Sequence, residues 1–182
     1  MNHPIVTEIL TLFKTNGGSM YGGEAVTQLE HALQAATFAK ENNASDTLIT
    51  AALLHDIGHL LHNLPNDASD NGIDDVHESL AANYLDIHFK QTVVEPVKLH
   101  VAAKRYLCAV DPTYYDTLSA PSKTSLTFQG GVMNETEIVN FEKNPYYQDA
   151  VTLRKWDDVA KDPTINTEAI DFFVTAIQNS LK

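Results

Sequence analysis

Residues 51–63, AALLHDIGHLLHN, form the segment that most constrains the fold of this chain. The segment is as apolar as a buried helix, yet it contains His55, Asp56 and His59 within five positions. On a helix, His55 and His59 lie one turn apart on the same face. An ionised carboxylate in apolar surroundings is costly without a partner, so the fold must supply partners for this helix. These groups are either hydrogen-bonded core residues or the ligands of a metal ion.

Most other segments have the apolar periodicity of helices. We predict helices over residues 4–14, 24–40, 77–89, 92–107, 146–160 and 167–181, and one that begins after Ser45 and contains the opening segment. Two capping boxes are predicted from spacing, Thr92 with Glu95 and Asn134 with Glu137. Residues 63–76 are predicted to be a polar loop, and no convincing alternating strand occurs. The pattern therefore predicts an all-α protein, a compact single-domain helical bundle over residues 1–182.

Charge and composition exclude several function classes. A formal net charge of −12 argues against a broad surface for nucleic acid or for anionic membranes, which both need basic residues. It does not exclude a small anionic ligand, because a bound metal can set the local charge. No apolar run is long enough to cross a membrane, the polar start is not a signal peptide, and the single cysteine cannot form an internal disulfide. We therefore expect a cytoplasmic protein, and the sequence does not predict its oligomeric state.

Further candidate metal ligands lie on other predicted helices. His31 and His100 lie on apolar faces, His77 opens a helix after the polar loop, and Asp157 follows Trp156. Taken singly, each has an ordinary structural explanation. His31 and His100 can be hydrogen-bonded core histidines, His77 can cap its helix, and Asp157 can be an exposed acid.

Taken together, the candidate ligands suit two metal ions better than one. The set comprises His31, His55, Asp56, His77, His100 and Asp157. It is too large for one tetrahedral structural zinc, and it suits two metals that share a bridging carboxylate. Because the set has imidazoles and carboxylates but no thiolate, it fits iron or manganese, with zinc as an alternative. Two divalent ions exceed the charge of the two carboxylates, so the site should bind an anionic substrate.

The order H…HD…H…H…D on an all-α chain resembles the dinuclear branch of the HD-domain superfamily. Longer motifs narrow this resemblance to the HD-domain mixed-valent di-iron oxygenases of the PhnZ and TmpB type. These motifs lie between residues 21 and 158 and are YGGEAVTQLEH, AALLHDIGH, LHVAAKRYL, LTFQGG and LRKWDD. The HD doublet alone is unspecific, whereas the first and third motifs are much more specific. The resemblance implies the HD-domain helical bundle.

The resemblance also implies the ligands of two irons that share Asp56. Those of the first iron would be His31, His55, Asp56 and Asp157. Those of the second would be Asp56, His77 and His100, with open positions for substrate. Tyr21 would be a ligand of the second iron that leaves when substrate arrives. Without the resemblance, Tyr21 would be an ordinary turn residue.

Substrate-binding residues are implied in the same way. Glu24 would move with Tyr21 and face the ammonium end of the substrate, and His59 would hydrogen-bond the phosphonate rather than bind metal. Lys104, one helical turn after His100, would supply a compact positive charge. The remaining matches are Ser122, Ser125, which stands where the family often has threonine, and Gln129, whose role is not assigned. Without the resemblance, Glu24 would be an ordinary residue of a first helical turn and Lys104 a solvated helix residue; His62 has no assigned chemistry.

The implied reaction is cleavage of the carbon–phosphorus bond of a 1-hydroxyphosphonate by dioxygen. The expected substrate is 2-amino-1-hydroxyethylphosphonate or its N-trimethyl analogue, with the primary amine favoured, and the products are inorganic phosphate and glycine or glycine betaine. The cofactors would be two iron ions in a mixed-valent Fe(II)/Fe(III) pair, with O2 as co-substrate. A dinuclear HD phosphohydrolase acting on a phosphate ester is the alternative enzyme, and it would need no oxygen. A non-catalytic helical binding module is the third class, and it would hold less than one transition metal per chain.

Overall fold

A computed structural model describes residues 3–61 and 77–182 of the chain. These residues form eleven α-helices and one 3-10 helix, Ile170–Phe173. The α-helices are α1 Pro4–Asn16, α2 Gln28–Glu41, α3 Asp46–Leu54, α4 Gly58–Leu61, α5 His77–Asp86, α6 Gln91–Val110, α7 Tyr114–Thr117, α8 Ala120–Phe128, α9 Glu135–Glu142, α10 Tyr147–Val159 and α11 Val174–Asn179. Within the described residues, extended pairing is limited to two isolated bridges. The all-α prediction is confirmed.

The predicted helix over residues 24–40 begins later than expected. Its first residue is Gln28, because Thr27 and Glu30 form a capping box in which each side chain accepts a hydrogen bond from the other's backbone N–H. The preceding residues form a turn in which the backbone N–H of Glu24 donates to the carbonyl of Tyr21 at 2.7 Å. Gly22 and Gly23 have φ angles of +36° and +81°, which a helix does not allow. Glu24 therefore lies in a turn and not on a helix.

The helix predicted to contain the opening segment is interrupted at the HD doublet. Ser45 caps α3 as predicted, since its Oγ accepts from the N–H of Leu48 at 3.3 Å. After Leu54, hydrogen bonds between residues three apart tighten the chain before α4 begins. The interruption occurs where α5 approaches the chain closely: a β-carbon on Gly58 would lie 2.1 Å from the carbonyl oxygen of His77. The end of the predicted helix, His62 and the predicted loop 63–76 lie outside the described residues.

Later elements confirm one predicted cap and correct another. Asn134 and Glu137 form the expected capping box at the start of α9. The predicted box at Thr92 is wrong, because α6 begins one residue earlier with Lys90 as its N-cap and Glu95 accepts from Asn144 instead. The predicted helix over residues 167–181 is two shorter pieces, the 3-10 helix and α11. The short helices α7 and α8 were not predicted.

α6 packs at the centre of the helical core. α6 contacts α3, α5 and α10, and α2 contacts α3 and α10. Residues such as Leu53, Leu85, Phe89 and Leu153 are fully buried in this core. Among the described residues, no helix has the length and apolar character needed to cross a bilayer. The cytoplasmic location and the single domain over residues 1–182 stay predictions.

Candidate metal centre

The fold brings the six candidate ligands together from five parts of the chain. His31 lies on α2, His77 at the start of α5, His100 on α6 and Asp157 on α10. His55 and Asp56 lie in the interruption between α3 and α4. The least buried of the six residues, Asp56, is only 7% exposed.

Asp56 lies between two pairs of imidazoles. Its Oδ2 is 3.4 Å from Nε2 of His31 and 3.3 Å from Nε2 of His55. Its Oδ1 is 3.2 Å from Nε2 of His77 and 3.4 Å from Nε2 of His100. Within each pair the Nε2 atoms are close, 3.0 Å apart in the first and 3.2 Å in the second. One carboxylate oxygen therefore faces each imidazole pair.

Asp157 joins the first imidazole pair. Its Oδ1 lies 3.4 Å from Nε2 of His31 and 3.9 Å from Nε2 of His55. Its other oxygen, Oδ2, lies 2.7 Å from Nη1 of Arg154, a buried residue one turn earlier on α10. The guanidinium thus holds the carboxylate with one oxygen turned toward the histidines.

The ring orientations leave nitrogen lone pairs facing each other. Nδ1 of His31 is 2.8 Å from the carbonyl oxygen of Ala160, and Nδ1 of His55 is 2.8 Å from that of Ala52. A carbonyl only accepts, so each Nδ1 carries a proton and each neutral ring presents a bare Nε2. Two bare Nε2 atoms 3.0 Å apart repel unless a proton or a metal ion lies between them. Within the described part of the chain, Asp56 Oδ1 also accepts no hydrogen bond although it is buried. The donor set therefore fits metal ions.

The neighbouring charges within the cluster also shift the pKa values of its members. Burial opposes ionisation of Asp56, but His55, His100 and His31 hold the pKa of its carboxyl well below the usual range. Burial alone would lower the pKa of His31, but its hydrogen bonds with Asp157 and Asp56 raise it to about 9. Without metal, the His31 ring therefore carries a proton on both nitrogens at neutral pH. A bound metal ion would take the place of the proton on Nε2.

Arg154 belongs to a buried network that sequence reasoning missed. Its Nε donates to the hydroxyl of Tyr114 at 3.2 Å, and its Nη2 pairs with Asp158 Oδ1. The hydroxyl of Tyr114 donates to Asp158 Oδ2 at 2.5 Å. Burial opposes ionisation of Asp157, but Arg154 holds the pKa of this carboxyl well below the usual range. The spacing of Arg154 to both aspartates, three and four residues, was the available signal.

Tyr21 and His59 lie against the two imidazole pairs. The ring of Tyr21 stacks on His31 with centroids 3.8 Å apart, and its hydroxyl donates to Asp157 Oδ1 over a long 3.5 Å. Tyr21 thus contacts the first group of ligands, whereas the resemblance assigns it to the second iron. Burial, Asp157 and Asp56 raise the pKa of Tyr21, so the side chain is a phenol in the absence of metal.

His59 is close enough to the second group of ligands either to bind a metal ion there or, as the resemblance implies, to hydrogen-bond a phosphonate. Its ring stacks on His77 with centroids 4.1 Å apart, and its Nε2 is 4.0 Å from Asp56 Oδ1. Its ring, with Asp56 and His77, presents ligand atoms close enough together to hold an ion. The side chain is 22% exposed, unlike the six buried ligands, and so it can also reach a bound molecule.

Two lysines reach the serines of α8. Nζ of the buried Lys104 donates to Ser125 Oγ at 2.8 Å. Nζ of Lys161 donates to Ser122 Oγ at 2.9 Å. Burial, followed by the charge of Arg154, lowers the pKa of Lys104 to about 7. Sequence reasoning missed Lys161, although it lies four residues after Asp157.

Glu24 and Gln129 complete the predicted site residues. Glu24 Oε1 accepts from Ser119 Oγ at 2.5 Å and lies 3.5 Å from Nζ of Lys161. Gln129 lies at the C-terminal end of α8, and its Oε1 is buried without a hydrogen-bond partner among the described residues. The structure thus connects Glu24 to Lys161 beside the centre, and no described contact connects Gln129 to the centre.

Comparison with known proteins identifies the class first. A family model of the HD domain matches residues 28–112, a range that contains five of the six candidate ligands and ends before Asp157. The helical fold and the buried histidine–aspartate centre agree with that class. The centre is accordingly a metal site.

Two relatives then narrow the class over nearly the whole chain. A hydroxymethylphosphonate dioxygenase of Gimesia maris is 44% identical over 178 residues, 97% of this chain and 88% of the relative. A [1-hydroxy-2-(trimethylamino)ethyl]phosphonate dioxygenase (glycine-betaine-forming) of Leisingera caerulea is 39% identical over 174 residues, 96% of this chain and 89% of the relative. The chain belongs to the family of HD-domain dioxygenases of the PhnZ and TmpB type. The family predicted from the motifs is confirmed, and the protein is an oxidoreductase.

Proposed function

We propose that this protein is a di-iron oxygenase that cleaves the carbon–phosphorus bond of a small 1-hydroxyphosphonate. The observation that carries the proposal is the division of the buried ligands into two groups around Asp56. A carboxylate with one oxygen toward each imidazole pair suits two ions that share a bridge. The names of the two relatives support a phosphonate as substrate and dioxygen as oxidant.

In this proposal the two ions have different surroundings. The first would be held by His31, His55, Asp56 and Asp157, with Asp157 oriented by Arg154. The second would be held by Asp56, His77 and His100, a smaller set of protein ligands that would leave room for substrate oxygens. A mixed-valent Fe(II)/Fe(III) pair would supply the redox change that dioxygen chemistry requires, which zinc lacks.

In this proposal His59, Lys104 and Ser125 bind and orient the phosphonate. His59, stacked on His77, donates a hydrogen bond. Lys104 and Ser125, already 2.8 Å apart, supply an amine and a hydroxyl. Ser122 and Gln129 are proposed as further substrate-binding residues. Charge-assisted hydrogen bonds of this kind fix orientation as well as adding affinity.

Tyr21 and Glu24 share one turn, so we propose that they move together when substrate enters. The backbone N–H of Glu24 is bonded to the carbonyl of Tyr21, and the two intervening glycines allow the turn to change conformation. Tyr21 covers His31 and Asp157 when no substrate is bound. Its departure opens the centre.

The overall reaction balances without a further reductant. The carbon–phosphorus bond and one carbon–hydrogen bond of C1 break, and C1 becomes a carboxylic acid. The phosphorus acquires a fourth oxygen and leaves as inorganic phosphate. One molecule of dioxygen accepts the four electrons, and two oxygen atoms are added to the products in total.

The test is phosphate release and oxygen uptake by iron-loaded protein. We expect one phosphate for each O2 with a 1-hydroxyphosphonate in air, and none under anaerobic conditions. Asp56→Asn, which removes one bridging oxygen, should lose this activity. Phosphate release from a phosphate ester without oxygen would instead indicate the hydrolase. Less than one transition metal per chain after iron reconstitution would indicate the binding module.

A further inference from the structure

We infer that Lys161 is a specificity-determining residue that selects a 1-hydroxyphosphonate without a cationic substituent. The inference rests on the proposed function, because it concerns the substituent at C1 of the same substrate. It differs from the aminated substrate expected from the sequence. The contacts of Glu24 and Lys161 carry it.

Glu24 is the acid that a substrate ammonium would need, and it already has partners. Its Oε1 accepts a 2.5 Å hydrogen bond from Ser119 and lies 3.5 Å from Nζ of Lys161. Its side chain is 14% exposed, and that of Lys161 is 10% exposed, so water screens this ion pair only weakly. Even if the turn moves when substrate enters, pairing of Glu24 with a substrate ammonium would require this resident ion pair with Lys161 to break, whereas a substrate without a cationic substituent requires no such exchange.

Lys161 is held close to the metal centre by its backbone and by its side chain. It directly follows Ala160, whose carbonyl is 2.8 Å from Nδ1 of the candidate ligand His31. Its Nζ donates to Ser122 Oγ at 2.9 Å and lies 5.8 Å from the centroid of the Tyr21 ring. The ammonium therefore lies between Glu24, Tyr21 and α8, next to the Tyr21 ring that stacks on His31.

The charges around Lys161 and the metal centre favour an anion with no positively charged substituent. Asp157 and Asp158 are both paired with Arg154, and Asp56 faces four imidazoles. Lys104 and Lys161 both donate hydrogen bonds to serines of α8. An ammonium on the substrate would add like-charge repulsion, chiefly with Lys161 and Arg154, without an unpaired carboxylate among these residues to offset it. A phosphonate with hydrogen or a small uncharged group at C1 avoids that repulsion.

The test compares two substrates in iron-loaded protein, hydroxymethylphosphonate and 2-amino-1-hydroxyethylphosphonate. Phosphate release gives kcat/KM for each. We expect the wild type to prefer hydroxymethylphosphonate at least about tenfold, a ratio equivalent to 1.4 kcal/mol. Lys161→Met frees Glu24 and should shift the ratio at least about tenfold toward the aminated substrate, equivalent to 1.4 kcal/mol again. Lys161→Arg keeps the charge and should keep the preference.

Lys123→Met is the matched control. Lys123 lies on α8 with its Nζ 5.2 Å from the centroid of the Tyr115 ring, and it contacts none of the candidate ligands in any described hydrogen bond or ion pair. Its removal should leave the substrate ratio unchanged. Because Lys161→Met can also disturb the fold, Glu24→Gln provides a second measurement. If Glu24 pairs with Lys161 and not with a substrate ammonium, Glu24→Gln should not selectively lower kcat/KM for the aminated substrate.

The outcomes separate this inference from the proposed function. A wild type that prefers the aminated substrate would overturn the inference and leave the oxygenase intact. An unchanged ratio in a folded, iron-loaded Lys161→Met would overturn it too, as would selective loss of the aminated substrate in Glu24→Gln. Absence of phosphate from both substrates would overturn the proposed function itself.

Discussion

Asp56 shows how much of the centre depends on the orientation of a single side chain. Its two oxygens face different imidazole pairs, Oδ2 toward His31 and His55 and Oδ1 toward His77 and His100. Backbone carbonyls orient the rings. The carbonyl oxygen of Val97, for example, is 2.7 Å from Nδ1 of His100. These bonds leave Nε2 available, so residue identity and local backbone together define a ligand.

Lys104 supports a prediction about function and stability. Burial and Arg154 lower the pKa of its amine to about 7, from an ordinary value of 10.5. Below pH 7 the folded protein must bury the charge, and between pH 7 and 10.5 the unfolded chain binds a proton that the folded chain does not. Stability of the metal-free protein should therefore rise with pH across this window because of Lys104.

Lys104→Met should abolish that pH-dependent contribution and weaken substrate binding. We compare the two proteins after removal of metal by a chelator. At pH 6, Lys104→Met should melt at or above the wild-type temperature, and this difference in melting temperature should shrink toward pH 10. The loss of a charged hydrogen bond, about 1.5–3 kcal/mol, should lower kcat/KM for phosphate release by roughly 10- to 150-fold. Lys98→Met is the control, because its side chain is 56% exposed on the same helix. A Lys104→Met melting temperature well below wild type at pH 6 would contradict the prediction.

Gly58 supports a prediction about one ligand. A β-carbon there would lie 2.1 Å from the carbonyl oxygen of His77, so Gly58→Ala must push the start of α5 away. Overpacking of this kind costs about 1–3 kcal/mol. We expect iron content to fall from two to about one per chain, because His77 belongs to only one group of ligands. Gly18→Ala, where a β-carbon meets nothing within 4 Å, should retain both irons. Two irons per chain in Gly58→Ala would disprove the proposed coupling.

At the scale of elements, the ends of helices position more of the site than their centres. His77 is the first residue of α5, and His55 and Asp56 lie in the interruption between α3 and α4. Tyr21 and Glu24 lie in the turn before α2. Ligands at such ends depend on capping and on tight turns, which hold backbone direction where the helical hydrogen bonds stop.

The two capping boxes of α2 and α9 allow a matched prediction. Thr27→Ala and Asn134→Ala each remove an N-cap, at a cost of about 0.5–2 kcal/mol. Both variants should lose a few degrees of melting temperature, since about 1 kcal/mol shifts a chain of this size by roughly 2–4 °C. Only Thr27→Ala should also weaken iron binding, because His31 lies in the first turns of α2. Equal iron affinity in the two variants would contradict this.

For the whole molecule, the metal centre links helices that are distant in the sequence. Its candidate ligands come from α2, the interruption after α3, α5, α6 and α10. Without metal, the closely spaced Nε2 atoms and buried carboxylates depend on protons such as that of His31. Metal ions would therefore contribute to the stability of the fold and not to catalysis alone.

Chelation should accordingly destabilise the whole protein. Ligand at 100 times its dissociation constant stabilises by about 2.7 kcal/mol, so we expect iron loading to raise the melting temperature by roughly 5–10 °C. The comparison is a thermal melt of iron-loaded and chelated protein. Asp56→Asn should largely lose the increase, because it alters the shared ligand. A melting temperature that does not respond to iron in the wild type would refute a structural contribution of the metal.

The sequence by itself determined the all-α class, most helix positions and the family. Helical periodicity and caps such as Ser45 and Asn134 depend on residues within one or two turns, so they can be recognised locally. The local rule failed at Thr92, where the spacing of a capping box was present but the helix began earlier. It also missed α7 and α8, which are too short for periodicity to identify.

Tertiary structure alone decided how the site residues are arranged. The assignment of each Asp56 oxygen to an imidazole pair, and the pairing of Glu24 with Lys161, join residues far apart in the chain. Such contacts depend on the crossing of packed helices and on side-chain rotamers, which no local pattern specifies. Residue types therefore reveal that a metal centre can form, and the packing of helices determines which atoms face one another within it.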